Sequence, residues 1–404
     1  MLKVAMIAEG FPLYDRSSAG LRSYTTAKIL AEKYQVTYLV LRDALQEEIL
    51  NSAEREKYSA ALKAVGIQVR TEMPEGILKA EKFDAVIIKY YYTAEKYLEL
   101  VRLLQPEAVV MVDSVDVHYY RLHLKAIITN ADEELKKAAA VKSRELAIYK
   151  KADVVIAVTE EDKRVLIQED PTLVVGILPN IHPIPELPVG MERDNSLIFV
   201  GIFSHEPNVD AVLFFYREIW PLIMNEMPDV KWKIVGGQPP PTITALASRQ
   251  IDVTGYVPDT LPFLLSSAVS IAPLRFGAGM KGKVGEAMAA GLPVATTSIG
   301  AQGMGLTHGE DVLIADTPVD FARAVVDLLK DEILYRKISS NGRVFIKNKY
   351  SPEAVAEKVY HIFDHLDKFP IKRWSLLSRA TRKAARVVKH QFEQHIAWRL
   401  RPQR

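Results

Sequence analysis

Short apolar runs alternate with amphipathic stretches along most of the chain. In the first half, the runs KVAMIAE, QVTYLVL, DAVIIKY and AVVMVDS are separated by helical patterns, the first of which covers about 20–33. A charged pattern over 132–151 predicts another helix, and two further apolar runs, ADVVIAVT and LVVGILP, come after it. Regular alternation of strand and helix indicates a doubly wound parallel sheet.

This alternation stops at PNIHPIPELPVGMERDNS and then starts again. The four prolines of this segment and its lack of apolar periodicity predict a linker. Beyond it come SLIFVG, a helix around 210–225, VKWKIVGG, IDVTGYV and AVSIAPL. We therefore expect two Rossmann-like α/β domains, 1–185 and 186–350, with a cleft between their facing sheet edges. A terminal helix over 352–366 is expected to pack back on the body as a segment of its own, 351–369.

The glycine-rich stretch PLRFGAGMKGKVGEAMAAGLP is typical of a diphosphate site. Gly277 and Gly279 permit positive φ and a close approach, so that nearby amides such as that of Met280 can point at phosphate oxygens. The helix that begins near 283 favours an anion at its N-terminus. Countercharge is supplied by three basic residues, Arg275, Lys281 and Lys283. Glu286, inside the helix, suits the sugar hydroxyls of a nucleotide.

A plainer interpretation of the same stretch is a glycine turn followed by a surface helix with solvated lysines. The flanking sequence favours the ligand site over that interpretation. Apolar strands both precede and follow the helix, and the second, LPVATTSIGAQG, closes on another glycine turn. Two successive strand ends then open onto one edge of a parallel sheet, where ligands bind.

Composition limits the classes of function. A chain of 404 residues with a net charge of +2 is long enough for two domains and too balanced in charge for a general nucleic-acid-binding surface. The absence of cysteine excludes disulfides, thiolate metal sites and a cysteine nucleophile. The N-terminus MLKVAMIAEGF is interpreted as a first strand and not as a signal peptide, which fits a cytoplasmic protein.

The end of the chain has a different character. Residues 370–404 are rich in Arg and Lys, have Glu393 as their only acid and include Trp374 and Trp398 among apolar residues. A basic amphipathic segment with tryptophans suits peripheral contact with an anionic membrane, at the inner face in this case. A terminal helix that docks on its own protein with solvated arginines fits equally well.

Several motifs follow one another in a specific order. FVGIFSHEPNVDAVLFF, IVGG, VTGYVPD, the glycine-rich stretch and YSPEAVAEKV together resemble the GT-B glycosyltransferases of family 4, of the bacterial surface-polysaccharide type. DRSSAGLRSYTTAKIL and MVDSVDVHYYR resemble the first strand-to-helix loop and the acceptor-side histidine segment of that family. The resemblance implies transfer of a sugar from a nucleotide-sugar donor to a hydroxyl of a glycan or lipid-linked acceptor, with retention and without a metal or other cofactor.

The resemblance also implies roles for particular residues. The donor diphosphate is expected on Lys281 and Arg275, with Gly20 approaching from the facing loop and Glu286 on the donor ribose. On the acceptor side, His118 and Asp116 are the candidate catalytic residues, because both follow the strand AVVMVDS at the carboxyl edge. The alternative for His118 is a polar residue that closes a loop.

The chain departs from the family at two places. Ala278 stands where many members carry the first of two glutamates, which puts the contacts to the donor sugar in doubt. His205 and Asn208, in a segment where many members present an Arg and a Lys, are included in the predicted donor site.

Other functions remain open. A nucleotide-sugar epimerase or a phosphorylase would use the same fold, and the Ala278 departure motivates a non-catalytic binding partner. A glycosidase is disfavoured because no acid and nucleophile pair of carboxylates stands out. A nucleic-acid-binding module that uses the basic tail is disfavoured because no known motif accompanies it.

Overall fold

Each half of the chain folds around one parallel sheet. The computed structural model describes residues 1–41, 50–188, 190, 193–277 and 279–373. The first sheet has seven strands: β1 (Lys3–Ala8), β2 (Gln35–Val40), β3 (Gln68–Arg70), β4 (Ala85–Lys89), β5 (Val109–Asp113), β6 (Val154–Ala157) and β7 (Val175–Ile177). Their order across the sheet is β3-β2-β1-β4-β5-β6-β7. Strands β4 and β5 are buried along their whole length, as expected for parallel strands covered on both faces.

Helices cover both faces of this sheet. They are α1 (Ser18–Ala31), α2 (Ser52–Ala64), α3 (Pro74–Ala80), α4 (Tyr91–Leu104), α5 (His118–Thr129), α6 (Asp132–Tyr149) and α7 (Glu160–Glu169). Two buried apolar clusters result, one on each side of the sheet, with Val86 and Val110 in one and Ile87 and Met111 in the other. This alternation follows from the opposite facing of successive side chains in a strand.

The second sheet has six strands. They are β8 (Ser196–Val200), β9 (Lys231–Val235), β10 (Ile251–Gly255), β11 (Val269–Ala272), β12 (Val294–Thr296) and β13 (Leu313–Ile314), in the order β10-β9-β8-β11-β12-β13. The helices here are α8 (Glu206–Phe214), α9 (Trp220–Glu226), α10 (Pro241–Thr244), α11 (Leu261–Ser266), α12 (Gly282–Ala289), α13 (Ser298–Ala301), α14 (Pro318–Lys330) and α15 (Glu332–Tyr350). The predicted α/β class with two doubly wound parallel-sheet domains is confirmed. The proposed boundary at 185/186 falls between β7 and β8 and stays a prediction.

The last described helix, α16 (Pro352–Phe363), returns to the first domain. Val355, Val359 and Phe363 are buried in the same cluster as residues of β1 and α1. Polar contacts fix the helix from outside, since Tyr34 Oη donates to Asp364 at 2.6 Å. A short 3-10 turn, Leu366–Lys368, follows. Of the predicted tail, residues 374–404 lie outside the described residues.

One predicted helix has different bounds and a different internal geometry. In place of a helix over 210–225, α8 begins at Glu206, a π-helical segment covers Phe215–Ile219, and α9 follows. Pro221 explains the interruption, because proline has no amide hydrogen and its ring clashes with the carbonyl four residues earlier. The helix can begin as early as Glu206 because Pro207 then lies in its first turn, where proline is tolerated.

Candidate active site

The acceptor-side candidates lie together at the carboxyl end of β5. Asp116 accepts from His118 Nδ1 at 2.8 Å through one carboxylate oxygen and from Arg121 Nε at 2.8 Å through the other. Burial opposes ionisation of Asp116, but His118 and Arg121 hold its pKa well below its usual range. Burial lowers the pKa of His118, whereas Asp116 and Glu145 raise it. The resulting pKa of His118 lies above its ordinary value. Asp116 therefore engages Nδ1 and leaves Nε2 as the ring nitrogen for other partners.

The backbone around this group is strained. Tyr90, directly after β4, has φ of 65°, and Val115, two residues after the end of the neighbouring β5, has φ of 63°. Positive φ is uncommon for a non-glycine residue and a clear outlier for a β-branched one. The rings of Tyr90, Tyr91 and Tyr92 all lie edge-on to His118, with centroids 5.3 to 6.1 Å away. Such strain is typical of functional sites, where the surrounding structure holds an unfavourable conformation.

The glycine-rich turn faces this group from the second domain. Gly277 has φ of 147° and Gly279 φ of 68°, as their predicted role in the turn requires. A Cβ on Gly279 would lie 3.7 Å from the Cβ of Asp116, so the turn and the acceptor-side loop meet across the cleft. Met280 is buried, and its carbonyl accepts from Asn180 Nδ2 of the linker at 3.1 Å. Ala278 lies outside the described residues.

The N-termini of two helices from different domains also meet here. A Cβ on Gly282, the first residue of α12, would lie only 1.8 Å from Ser18 Oγ, the first residue of α1. Gly20, in the first turn of α1, is buried, and its amide donates to Ser17 Oγ at 3.0 Å. A Cβ on Gly20 would lie 2.3 Å from the carbonyl oxygen of Leu13. Two sets of helix N-terminal amides with their positive dipole ends therefore converge on the cleft.

Two partly buried lysines, Lys281 and Lys283, lie beside these helix ends. Lys281 donates to the carbonyl of Gly279 at 2.6 Å. Burial lowers its pKa to about 8, against the opposing charges of Asp162, Glu161 and Asp116 from the first domain. Burial and the neighbouring Lys281 lower the pKa of Lys283 to about 7. Both ammonium groups would gain from an anionic ligand, because each is desolvated and the two repel each other.

The predicted residues at the start of α8 join the same group. Asn208 accepts a hydrogen bond from Lys283 Nζ and donates from its amide to the carbonyl of Ile202 at 2.7 Å. His205 stands at the N-terminal cap of α8, and burial, followed by the charges of Arg121 and Lys283, lowers its pKa to about 4. His205 is therefore neutral at pH 7. The structure brings His205 and Asn208 close to Lys283, and their assignment to the donor site stays a prediction.

Arg275 and Glu286 lie at the edge of this group. Arg275 forms a two-point ion pair with Asp210 on α8 and stacks over the ring of Phe214 at 5.0 Å. An anionic ligand would therefore have to share this guanidinium with Asp210. Glu286, on α12, is hydrogen-bonded by Thr260 Oγ1, and burial raises its pKa. Their assigned contacts to diphosphate and ribose stay predictions.

Sequence reasoning missed several polar residues of the cleft. Asp162, in the first turn of α7, accepts a hydrogen bond from Oγ1 of the cap residue Thr159 at 2.8 Å. Burial raises the pKa of Asp162 to about 6, with Lys281 opposite. Ser18 and Asn180 contact the glycine-rich turn and its helix from the first domain and the linker. The signal that could have found Asp162 is its position just after β6, at the same sheet edge as Asp116.

The described residues contain neither a metal-binding cluster nor a membrane-spanning helix. Within residues 1–41, 50–188, 190, 193–277 and 279–373, no cluster of three or more His, Asp or Glu side chains has the arrangement to hold a metal ion. In the same part of the chain, no helix has the length and apolar character needed to cross a membrane.

The sequence of the second domain matches a known protein family. Residues 194–331 are matched by the family model described as "Glycosyl transferases group 1". The second domain is therefore similar in sequence to the group 1 glycosyltransferases. This match covers the strand β8, the glycine-rich turn and the two partly buried lysines, Lys281 and Lys283. The sequence-based interpretation of the chain as a GT-B glycosyltransferase is confirmed by this match together with the two-sheet fold.

Solved structures show the same two-domain glycosyltransferase fold. Sucrose-phosphate synthase from Thermosynechococcus elongatus superposes with a TM-score of 0.66 at 16% identity, covering 91% of this chain and 99% of that one. A TarM variant from S. aureus, in complex with fondaparinux, alpha-GlcNAc-glycerol and UDP, gives 0.69 at 11% identity, covering 90% and 100%. HepE from Anabaena, in complex with UDP and glucose, gives 0.62 at 12% identity over the same shares.

A curated relative is known from sequence. An "Uncharacterized 44.6 kDa protein in cps region" of Klebsiella pneumoniae is 24% identical over 323 residues, which are 76% of this chain and 81% of that protein. The similarity therefore extends beyond the second domain into most of the chain.

Proposed function

We propose that this glycosyltransferase moves a sugar from a nucleotide-sugar donor to a hydroxyl of a glycan or lipid-linked acceptor. The observation that carries the proposal is the meeting of two helix N-termini and a partly buried lysine, Lys281, opposite the Asp116 and His118 pair. One side of the cleft is arranged for an anion and the other for a hydroxyl. Both are needed to transfer a glycosyl group from a diphosphate.

On the donor side, the chemistry demands stabilisation of a leaving group. Cleavage of the bond between the anomeric carbon and the diphosphate oxygen leaves negative charge on the diphosphate. Preorganised amides and cations at that point lower the barrier, since they need no reorganisation during the reaction. The amides that begin α1 and α12, with Lys281 and Lys283, would supply this field. The UDP and glucose bound by HepE support a nucleotide-sugar donor.

On the acceptor side, His118 would position the attacking hydroxyl. In the neutral ring, with Nδ1–H donated to Asp116, Nε2 can accept a hydrogen bond from an acceptor hydroxyl. We propose retention at the anomeric carbon and activity without a metal, as the family resemblance implies. The anomeric configuration of the first-formed product, followed by NMR, tests the first statement, and transfer in the presence of EDTA tests the second.

The decisive experiment begins with binding. A thermal-shift screen of the folded protein against UDP-, GDP-, dTDP- and CMP-sugars and the free diphosphates should give a rise in Tm with one nucleotide family. Lys281→Ala should lose that rise, whereas Lys330→Ala, which removes an exposed lysine of the same domain that pairs with Glu226, should keep it.

The product of incubation with acceptors separates the alternatives. Transfer to an acceptor supports the proposal. Conversion of the donor to its epimer without an acceptor would indicate an epimerase, and dependence on inorganic phosphate a phosphorylase. Binding without turnover would indicate a non-catalytic partner.

We further propose a role in cell-surface polysaccharide or glycolipid biosynthesis, at the cytoplasmic face of the inner membrane. The relative in a cps region supports the pathway, and the basic, tryptophan-containing composition of 371–404 supports peripheral contact with anionic lipid. A truncation after Arg373 keeps the hydrogen bond from the Lys372 amide to Asp153. It should lose binding to vesicles that contain anionic lipid and keep transfer to a soluble acceptor. Unchanged vesicle binding would refute the membrane role of the tail.

A further inference from the structure

A buried carboxylate lies beneath the loop that carries the candidate acceptor-side residues. Glu145, in the second half of α6, is 0% exposed. Its Oε1 accepts from the backbone amide of His118 at 3.2 Å, and its Oε2 accepts from the amide of Tyr119 at 3.0 Å. Tyr149, one turn further along α6, donates its hydroxyl to Oε1 at 2.7 Å. Glu145 therefore links α6 to the first turn of α5.

The start of α5 needs such a partner. The first amides of a helix have no carbonyl to bond within the helix, and they are usually satisfied by a side chain at the cap position. Here the cap residue is Val117, which makes no side-chain hydrogen bond. Glu145 supplies the missing acceptor from 27 positions away, and its charge is favourable at the positive end of the helix dipole.

The other end of the same loop is also held by a buried acid. The amide of Val115, whose φ is 63°, donates to Asp113 Oδ1 at 3.2 Å. Asp113 is fixed in turn by two hydrogen bonds from Arg22 Nη1, at 2.9 and 2.7 Å. Asp116 and His118 therefore lie between two anchors, Asp113 before them and Glu145 after them. A strained loop persists only when its surroundings hold it in this way.

We propose that Glu145 is a positioning residue, which holds the first turn of α5 so that His118 stays in register with Asp116 and with the glycine-rich turn across the cleft. Its effect on turnover depends on the function proposed above. Its effect on the geometry of His118 does not.

Three variants test this role. Glu145→Ala removes both acceptors, and Glu145→Gln keeps the volume and one carbonyl oxygen that can still accept from an amide. Glu133→Ala is the matched control, because Glu133 lies on the same helix and its side chain is 85% exposed. Circular dichroism and thermal unfolding establish that each variant is folded. If the alanine variant does not fold, the glutamine variant supplies both readouts.

The first readout is the imidazole titration of His118, followed by NMR and assigned with His118→Gln. The charged and titratable groups around Glu145 and His118 include Asp116, Arg121, Tyr91, Tyr119 and Tyr149, and these are retained in all three variants. Glu145 raises the pKa of His118, so both substitutions should lower it, whereas Glu133→Ala should leave it unchanged. A group that only filled space would not move this titration in the glutamine variant.

The second readout is the kinetics of transfer with the donor found in the screen. A displacement of about 1 Å at a reacting group costs up to about a hundredfold in rate. We expect kcat to fall by about 10- to 100-fold in Glu145→Ala, with partial recovery in Glu145→Gln. The KM for the donor should not change, because the donor residues lie on the second domain and α1.

A folded Glu145→Ala protein with the wild-type His118 titration and the wild-type kcat would overturn the proposal. Failure of the proposed function gives a different pattern. The wild-type protein would then transfer no sugar from any donor, while the titration of His118 would still show whether Glu145 acts on it.

Discussion

The close approach of Gly282 to Ser18 permits a quantitative test of cleft closure. In Gly282→Ala the new Cβ would lie 1.8 Å from Ser18 Oγ and 2.6 Å from Ser18 Cβ. Rotation of the Ser18 side chain removes the first overlap only. The distance to Cβ must still widen from 2.6 Å to at least 3.4 Å, an ordinary contact, and this moves the beginnings of α1 and α12 apart.

The expected cost follows from overpacking. Added methylene groups in a close-packed site cost about 1–3 kcal/mol, which corresponds to about a 5- to 150-fold loss in an equilibrium constant. The overlap exists only where the two domains meet, so the free protein can relax by opening. We therefore expect the cost to appear as weaker affinity for the nucleoside diphosphate, measured by isothermal titration calorimetry. The midpoint of thermal unfolding without ligand should change little.

Two further variants make the argument refutable. Ser18→Gly removes both clashing atoms and leaves Cα, at 3.9 Å, as the nearest atom of that residue to the new Cβ. The double variant Ser18→Gly, Gly282→Ala should therefore recover most of the affinity. Gly76→Ala is the control, since a Cβ at Gly76, in α3, meets nothing within 4 Å. Undiminished affinity in Gly282→Ala, or no recovery in the double variant, would show that the two helix ends do not jointly bind the diphosphate.

Three other predictions concern buried charge. Arg22→Leu should lower the free energy of unfolding by about 3–5 kcal/mol, measured in urea, because Asp113 loses both hydrogen bonds from Arg22 Nη1 and keeps Lys89, at 3.6 Å, as its buried cation. Burial lowers the pKa of His182 from 6.5 to about 4. The unfolded chain therefore binds a proton that the folded chain does not, and stability falls from pH 6.5 towards pH 4; His182→Leu should flatten this slope. Asp116→Asn should lower the pKa of His118 in an NMR titration; an unchanged value would contradict the pairing.

The features that could be predicted from the sequence are local ones. A run such as AVVMVDS has the composition of a strand that is buried on both faces, and Gly277 and Gly279 indicate a turn with positive φ, as observed. The order of such elements indicates the sheet edge at which the site lies, because parallel strands end on one side. His118 and the glycine-rich turn could therefore be placed on one cleft before any coordinates were known.

The remaining features of the site depend on contacts between distant positions. Glu145 looks like one more charged residue of a polar helix, and only the packing of α6 under α5 shows that it is buried. Arg275 looks like a free cation beside a glycine turn, yet Asp210, 65 positions earlier, pairs with it. In both cases a side chain has a partner that neither periodicity nor spacing specifies.

The return of α16 to the first domain means that the polypeptide passes between the domains twice, through the linker after β7 and again after α15. The two passages are tied to each other, because the amide of His182 donates to the carbonyl of Tyr350 at 2.8 Å. The two passages therefore cross between the domains side by side, at one place. Any widening of the cleft would have to bend both segments there, so the crossing near His182 and Tyr350 limits how far the domains can separate.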